Sequence, residues 1–436
     1  MNSFLRPAGR SLLIAGVVLG LTACGSKTGL QIPDADIDFG TIQPPVDLDG
    51  GADPDLGLPA DVPCAEVPFE GGVVEVPLDL AAELARADVL FLVDSTKSME
   101  QEIDQIRRGL RESIAPGVRE TVFDSELGVA TFGDFPVGMC GDVVDTPFDL
   151  ALPITDDLSQ VQAAVDGIRL GNGLDQPESQ VEALYQTATG RGIRPFVPPS
   201  LGCPGGGLGY PCFRRDALPI VLLFTDAPFH NGPGPNANLY RDQCEAVFDR
   251  AERPPATYAE AVNALNQLGA RVIGLYSRDD GEGRDDLVQL VRDTGGSTGL
   301  VFNIGSRGQR LSNSVVDAVR TLADTIEFDI DTVLVDPDSG DGVDPTAFVE
   351  RVLAIRAVPS DRVESIDREA GLFFGVRAGT SVFVQLELRN DAVVPGREPQ
   401  SFLLEVVFRG DERARLGSRL VRIVVPAEDG SGCEPR

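Results

Sequence analysis

Between residues 86 and 327 the chain alternates two kinds of segment, and that alternation leaves few folds open to it. Apolar runs occupy residues 89–93, 127–132, 220–224, 272–276 and 300–304. They lack polar alternation, as strands covered on both faces of a parallel sheet do. The intervening segments have helical period. Met99, Ile103, Ile106, Leu110 and Ile114 share one helix face, and Val181, Leu184, Tyr185 and Ala188 share another after Pro177. Thr257 is placed to cap a helix reaching Leu268, Leu287 and Val291 lie in one that stops at Gly295 and Gly296, and Leu311, Val315, Val319, Leu322 and Ile326 line a last one. Strand and helix in turn predict an α/β fold with a doubly wound, mostly parallel, Rossmann-like sheet. Such sheets bind ligands beyond the carboxyl ends of their strands.

After Glu327 the period changes to two. SVFVQLEL, FLLEVVFR and SRLVRIVV read as strands separated by Gly, Pro, Asn and Asp turns, which predicts a smaller all-β sandwich. EGGVVEVPLDL, residues 70–80, precedes the α/β domain and offers that sandwich another strand. DPDSGDGVD, 336–344, lacks the spacing of an EF-hand loop and reads as an acidic turn. The expected organisation is 1–23 a leader, 24–63 a tether, 64–85 a β segment, 86–327 the α/β domain and 328–436 the sandwich. The tether holds eight Asp, six Pro and one Lys with little apolar periodicity, a solvated composition. Asp34, Asp36 and Asp38 within it match no calcium loop.

The leader begins with Arg6 and Arg10, continues through an apolar stretch too short to span a bilayer, and closes on L-T-A-C at Cys24. Small residues before a Cys resemble a bacterial lipobox. That resemblance implies cleavage before Cys24, lipidation of its thiol and an anchor in the cell envelope. Gly25 after it resembles lipoproteins sent to the outer membrane. The net charge of −31, from 68 acidic and 37 basic residues, argues against nucleic acid and against direct docking on anionic lipid. Six further cysteines, an even number in an exported chain, suggest disulfides. Cys203 and Cys212 flank a glycine-rich turn and form the best local pair, Cys64 and Cys433 bracket the folded region, and Cys140 with Cys244 is what remains. A single His and no Cys-x-x-Cys argue against zinc.

The chemistry concentrates in DSTKSM, residues 94–99, just past the first apolar run. Asp94, Thr96 and Ser98 are spaced by two, and a helix cap is the bland reading of such residues. A hard dication such as Mg²⁺ takes about six oxygens, and the chain supplies more at other strand ends: Asp226 in IVLLFTDAPFH, Glu178 in GLDQPESQVEAL and Asp134 in LGVATFGDFPV. His230, four residues after Asp226, reads as a hydrogen-bonded loop residue.

D-x-T-x-S-M after one apolar strand and F-T-D-A after a later one resemble a von Willebrand factor A (vWA) domain. D-x-P-E at 175–178 and FGDFPV resemble the I-like domain of integrin β subunits. The resemblance implies a metal-ion-dependent adhesion site of Asp94, Thr96, Ser98, Glu178 and Asp226, holding Mg²⁺ or Mn²⁺. It also implies a second site, for Ca²⁺, built from Asp134, Asp175, the Pro177 carbonyl and Glu178. Glu102 matches one of the two acids of a third. The function implied is a binding module: the cation completes its shell with an Asp or Glu carboxylate from a protein partner. The alternatives are a calcium-stabilised scaffold and a metal-dependent hydrolase. With one His and no evident Ser-His-Asp or Cys-His set, the reading is not an enzyme.

Overall fold

The computed structural model describes residues 62–234, 238–278, 281–340 and 342–433. The leader, Cys24 and most of the tether lie outside these residues. Two short strands come first, β1 (Cys64–Glu66) and β2 (Val74–Ala82). The α/β domain follows with β3 (Arg86–Asp94), β4 (Asp124–Phe132), β5 (Asp149–Thr155), β6 (Leu218–Thr225), β7 (Arg271–Tyr276) and β8 (Val301–Asn303). Their order in the sheet is β5-β4-β3-β6-β7-β8, all parallel except β5, which runs antiparallel to β4. The four long parallel strands are the apolar runs seen in the sequence. Every residue of β6 is buried, as is all of β3 after Arg86. Phe91 and Phe224 stack across that central pair with centroids 5.9 Å apart.

Three local features differ from the sequence reading. The antiparallel edge strand β5 is half-exposed and was not evident as an apolar run. The run 300–304 yields a strand of only three residues, because a 3-10 turn, Thr298–Leu300, consumes its start. The helix starting at Glu100 continues to Thr121 through one wider π turn, Leu110–Ile114, just before Pro116. A proline lacks the N–H that an i−4 bond needs, so local rewinding there costs little. Thr257 does cap its helix, in a capping box with Glu260.

The sandwich comprises β9 (Glu327–Val335), β10 (Val349–Val358), β11 (Ser365–Asp367), β12 (Leu372–Arg377), β13 (Thr380–Leu388), β14 (Gln400–Gly410) and β15 (Ala414–Val425). One sheet runs β1-β15-β14-β9-β12-β11, the other β10-β13-β2. The strands preceding the α/β domain therefore complete both sheets, β2 pairing antiparallel with β13 over nine residues. The sheets approach closely at Gly417, where a Cβ would lie 2.7 Å from Leu80. The structure pairs Cys64 with Cys433, Cys140 with Cys244 and Cys203 with Cys212.

Candidate metal centre

Strand order reverses at β3, with β4 on one side and β6 on the other. Loops leaving these three strands diverge and open a crevice at their carboxyl ends. DSTKSM leaves β3 there. Asp94 Oδ1 accepts hydrogen bonds from the Thr96 backbone N–H at 3.0 Å and the Thr96 hydroxyl at 2.7 Å, which bends the chain back on itself. Asp94 Oδ2 accepts from the Thr225 hydroxyl at 2.9 Å. Ser98 Oγ lies 3.2 Å from Thr96 Oγ1 and donates to Asp226 Oδ1 at 3.0 Å. The helix-cap reading accounts for little of this, since Thr96 sits at the cap position and makes no side-chain capping bond. Ser98 is exposed while Asp94, Thr96 and Asp226 are buried, so the cluster opens to solvent at one point.

Glu178 reaches the cluster by a backbone device. It forms a parallel bridge with Phe229: the Glu178 N–H donates to the Pro228 carbonyl and the His230 N–H to the Glu178 carbonyl, at 3.0 and 2.8 Å. The loop before it passes close to Thr96, with the Gly171 N–H on the Ser95 carbonyl. Gly173 has φ +59°, and a Cβ there would stand 2.9 Å from Glu178 Oε1. Only glycine meets both demands without strain. Asp145, which the sequence reading did not single out, holds this loop by accepting from the N–H groups of Asn172 and Gly173.

The electrostatics are lopsided. Burial, and then the charge of Asp226, push the Asp94 carboxyl up to about 7. Burial, followed by repulsion from Asp94, Asp134, Asp175 and Asp145, holds Glu178 well above the ordinary carboxylate range. Glu178 Oε2 is buried with no hydrogen-bond partner among the described residues. Glu102 sits nearby, also buried, with an unpartnered Oε2 and a pKa raised by burial and by Asp226. Against these acids stands Arg278, half-exposed, whose Nη2 is 3.0 Å from Asp226 Oδ2. Unpaired buried carboxylates are costly. Oxygen side chains from three loops, with an orphaned carboxylate oxygen among them, are a donor set that fits a hard divalent cation.

The residues of the expected second site come together differently. Asp134 and Asp175 both face His230, whose Nε2 lies 3.1 Å from Asp134 Oδ2 and 3.1 Å from Asp175 Oδ2. Burial pulls the imidazole pKa down, but the two carboxylates outweigh it and hold it at about 9. Asp134 Oδ1 accepts from Ser179 Oγ, the Tyr240 hydroxyl and the Phe135 N–H. Pro177 is buried beside them. Cys140, Asp175, His230 and Cys244 lie together, their side-chain ligand atoms all within 4.8 Å of one another, with the two cysteines joined as a disulfide. His230 thus belongs to the site's framework, which a lone His in a loop sequence does not reveal.

The doubly wound, mostly parallel sheet, with DSTKSM, Glu178 and Asp226 beyond the carboxyl ends of its strands, has the fold expected from the resemblance to a vWA domain. No known family profile and no curated protein matches the chain. Among solved structures it is similar to a von Willebrand factor type A protein from Catenulispora acidiphila, at 12% identity and TM-score 0.37, covering 84% of this chain and 72% of that one. Proximal thread matrix protein 1 from the mussel byssus matches at 14% identity and TM-score 0.33, over 59% of this chain and 50% of its own. The pilus adhesin SpaC from Lactobacillus rhamnosus GG matches at 12% and 0.32, over 82% and 46%. The chain thus spans about half the length of the latter two.

Proposed function

We propose that this chain is a binding module of the cell envelope. Asp94, Thr96, Ser98, Glu178 and Asp226 hold a Mg²⁺ or Mn²⁺ ion, through which the module takes an Asp or Glu carboxylate of a protein partner in adhesion or assembly. The observation that carries the reading is the excess of buried carboxylate at one sheet edge, with Glu178 Oε2 left without a partner. A bound dication there supplies a Lewis-acidic coordination position that a partner's carboxylate can fill. The protein's own residues do the rest. Thr225 and the Thr96 N–H fix the rotamer of Asp94, the Phe229 bridge fixes Glu178, and exposed Ser98 marks the side from which a partner enters. A hydrolytic reading draws no support from His230, the only His, whose ring is buried with Nδ1 on the Asn238 carbonyl. The anchor is proposed to be lipid on Cys24, in the outer membrane.

The test is carboxylate uptake by the Mn²⁺-loaded protein. Water-proton relaxation should change as a short Asp-containing peptide displaces metal-bound water, and Asp94→Ala should show neither metal nor peptide effect. Metal binding without any peptide response, together with unfolding on chelation, would favour the calcium-stabilised scaffold instead.

A further inference from the structure

Scattered through the sequence, one histidine and isolated cysteines make a poor zinc motif. The fold gathers them. Cys140 lies in the loop after β4, Cys244 after the short helix Tyr240–Gln243, His230 in the loop after β6, and Asp175 ahead of the helix Gln180–Thr189. Their ligand atoms lie within 4.8 Å of one another, three of the four residues being buried. Cys244 Sγ is 3.6 Å from Asp175 Oδ2, and His230 Nε2 is 3.1 Å from the same oxygen. Tetrahedral zinc with ligands at about 2.0–2.3 Å sets them roughly 3.3–3.8 Å apart, so shifts within about 1 Å complete the shell.

The surroundings already have the form of a metal site's support. His230 Nδ1 is 3.0 Å from the Asn238 carbonyl, the bond that fixes an imidazole with Nε2 toward a metal. Nε2 faces two carboxylate oxygens, Asp134 Oδ2 and Asp175 Oδ2, a position that demands a positive centre. Asp175 Oδ1 has no partner among the described residues. Asp134, whose Oδ2 is the first of those two oxygens, is held through Oδ1 by Ser179, Tyr240 and the Phe135 N–H. The Cys140 carbonyl accepts from the N–H groups of Leu174 and Asp175, which ties one ligand's backbone to another's. In the structure the two sulfurs are bonded to each other and offer no thiolate.

We propose that the Cys140–Cys244 disulfide and a zinc ion are alternative occupants of this site, Zn²⁺ binding the two cysteine sulfurs, His230 Nε2 and the Asp175 carboxylate once the disulfide is reduced. A dithiol supplies the two electrons and two protons that cleave the S–S bond, and is itself oxidised to a disulfide. Zinc binding then releases the two thiol protons and any proton on Nε2 to solvent. The site shares no ligand with the Asp94, Thr96, Ser98, Glu178 and Asp226 set, so it stands or falls apart from the binding-module reading.

The test uses the purified protein, oxidised and after anaerobic reduction with dithiothreitol, desalted and titrated with Co²⁺ and then Zn²⁺. The reduced protein should acquire the near-ultraviolet thiolate-to-cobalt charge-transfer band and the strong visible bands of a tetrahedral site, bleached by one equivalent of Zn²⁺. The oxidised protein should show neither. The same spectrum should appear in Asp94→Ala and in Cys203→Ser/Cys212→Ser, and vanish in Cys140→Ser/Cys244→Ser. Reduced, folded protein without cobalt bands overturns the proposal. So does a spectrum that survives Cys140→Ser/Cys244→Ser, or a reduced protein that unfolds and is not refolded by zinc.

Discussion

The α/β sheet carries an acidic cluster at each end, and the two are built differently. At the amino ends of the strands, Asp88, Asp124 and Glu126 surround Arg214, with ion-pair distances of 2.7, 2.6 and 3.2 Å, and Arg86 joins Asp124 and Asp216. At Asp124, Arg214 and Arg86 more than cancel the effect of burial and the pKa falls below the ordinary value, whereas at fully buried Asp88 the same Arg214 offsets burial only in part and the carboxyl stays up at about 6. At the carboxyl ends, the half-exposed Arg278 pairs with Asp226 and is the cluster's one ion-pair partner among the described residues, and the pKa values of Asp94 and Glu178 climb. The lower cluster carries its own cations and ties strands together. Among the described residues the upper one has a single half-exposed arginine for its several acids, and that shortfall of charge is what marks it as a site. Acidic residues at a sheet edge say little until their counter-ions are counted.

The sharpest way to break the contrast is to exchange its two failures. Asp226→Ala should weaken Mg²⁺ or Mn²⁺ binding by at least about 100-fold while the protein stays folded. Arg214→Ala should leave cation affinity unchanged yet destabilise by about 3–5 kcal/mol, because Asp88, fully buried, loses its partner. Calorimetric titration and denaturant unfolding read the two, and a large loss of cation affinity in Arg214→Ala would erase the distinction.

The next effect is pH dependence in chelator. The Asp94 carboxyl keeps its proton to about 7 in the fold against 3.8 unfolded, and Asp88 and Asp286 keep theirs to about 6. Raised carboxyl values mean the folded chain binds the extra proton, so stability falls as pH climbs through that window. His230, held at about 9 against 6.5, adds stability below pH 6.5 that is lost towards 9. Both run the same way. The metal-free protein should lose several kcal/mol of stability between pH 5 and 9, and saturating Mg²⁺ should shrink the part lost below pH 7. A thermal-melt series that rises with pH in chelator would contradict this.

Smaller still, Gly173→Ala puts a Cβ against Glu178 Oε1 at positive φ, and should lower cation affinity by about fivefold and stability by roughly 1 kcal/mol. Arg278→Ala should act in the opposite sense. Freeing Asp226 Oδ2 from a half-exposed ion pair is worth less than about 1 kcal/mol, so cation affinity should rise about threefold. Unchanged affinity in both variants would show that neither touches the site.

Much of this was legible in the sequence, for identifiable reasons. Runs of buried strand and the DSTKSM, DQPE and FTDA segments are local signals, and strand ends in a doubly wound sheet converge wherever the order reverses. Thr225 could have been found beside Asp226 in FTDA. Asp145 could not, because nothing local shows that it will accept from Asn172 and Gly173, 27 and 28 residues away. His230 is the hydrogen-bonded loop residue the sequence suggested, but two of its partners, Asp134 and Asp175, are brought to it by tertiary structure and could not be named from the sequence. The edge strand β5 escaped because half of it faces solvent.

The upper cluster is short of positive charge, which the proposed dication would supply. Calorimetric titration of Mg²⁺ and Mn²⁺ into the chelator-stripped protein, at pH 7.5 and beside Asp94→Ala, tests that most directly. One saturable site, absent in the variant, with circular dichroism unchanged between the two proteins, is the predicted result. No heat of binding in the folded wild-type protein would contradict it, and would leave DSTKSM a turn whose buried acids are kept neutral by protons alone.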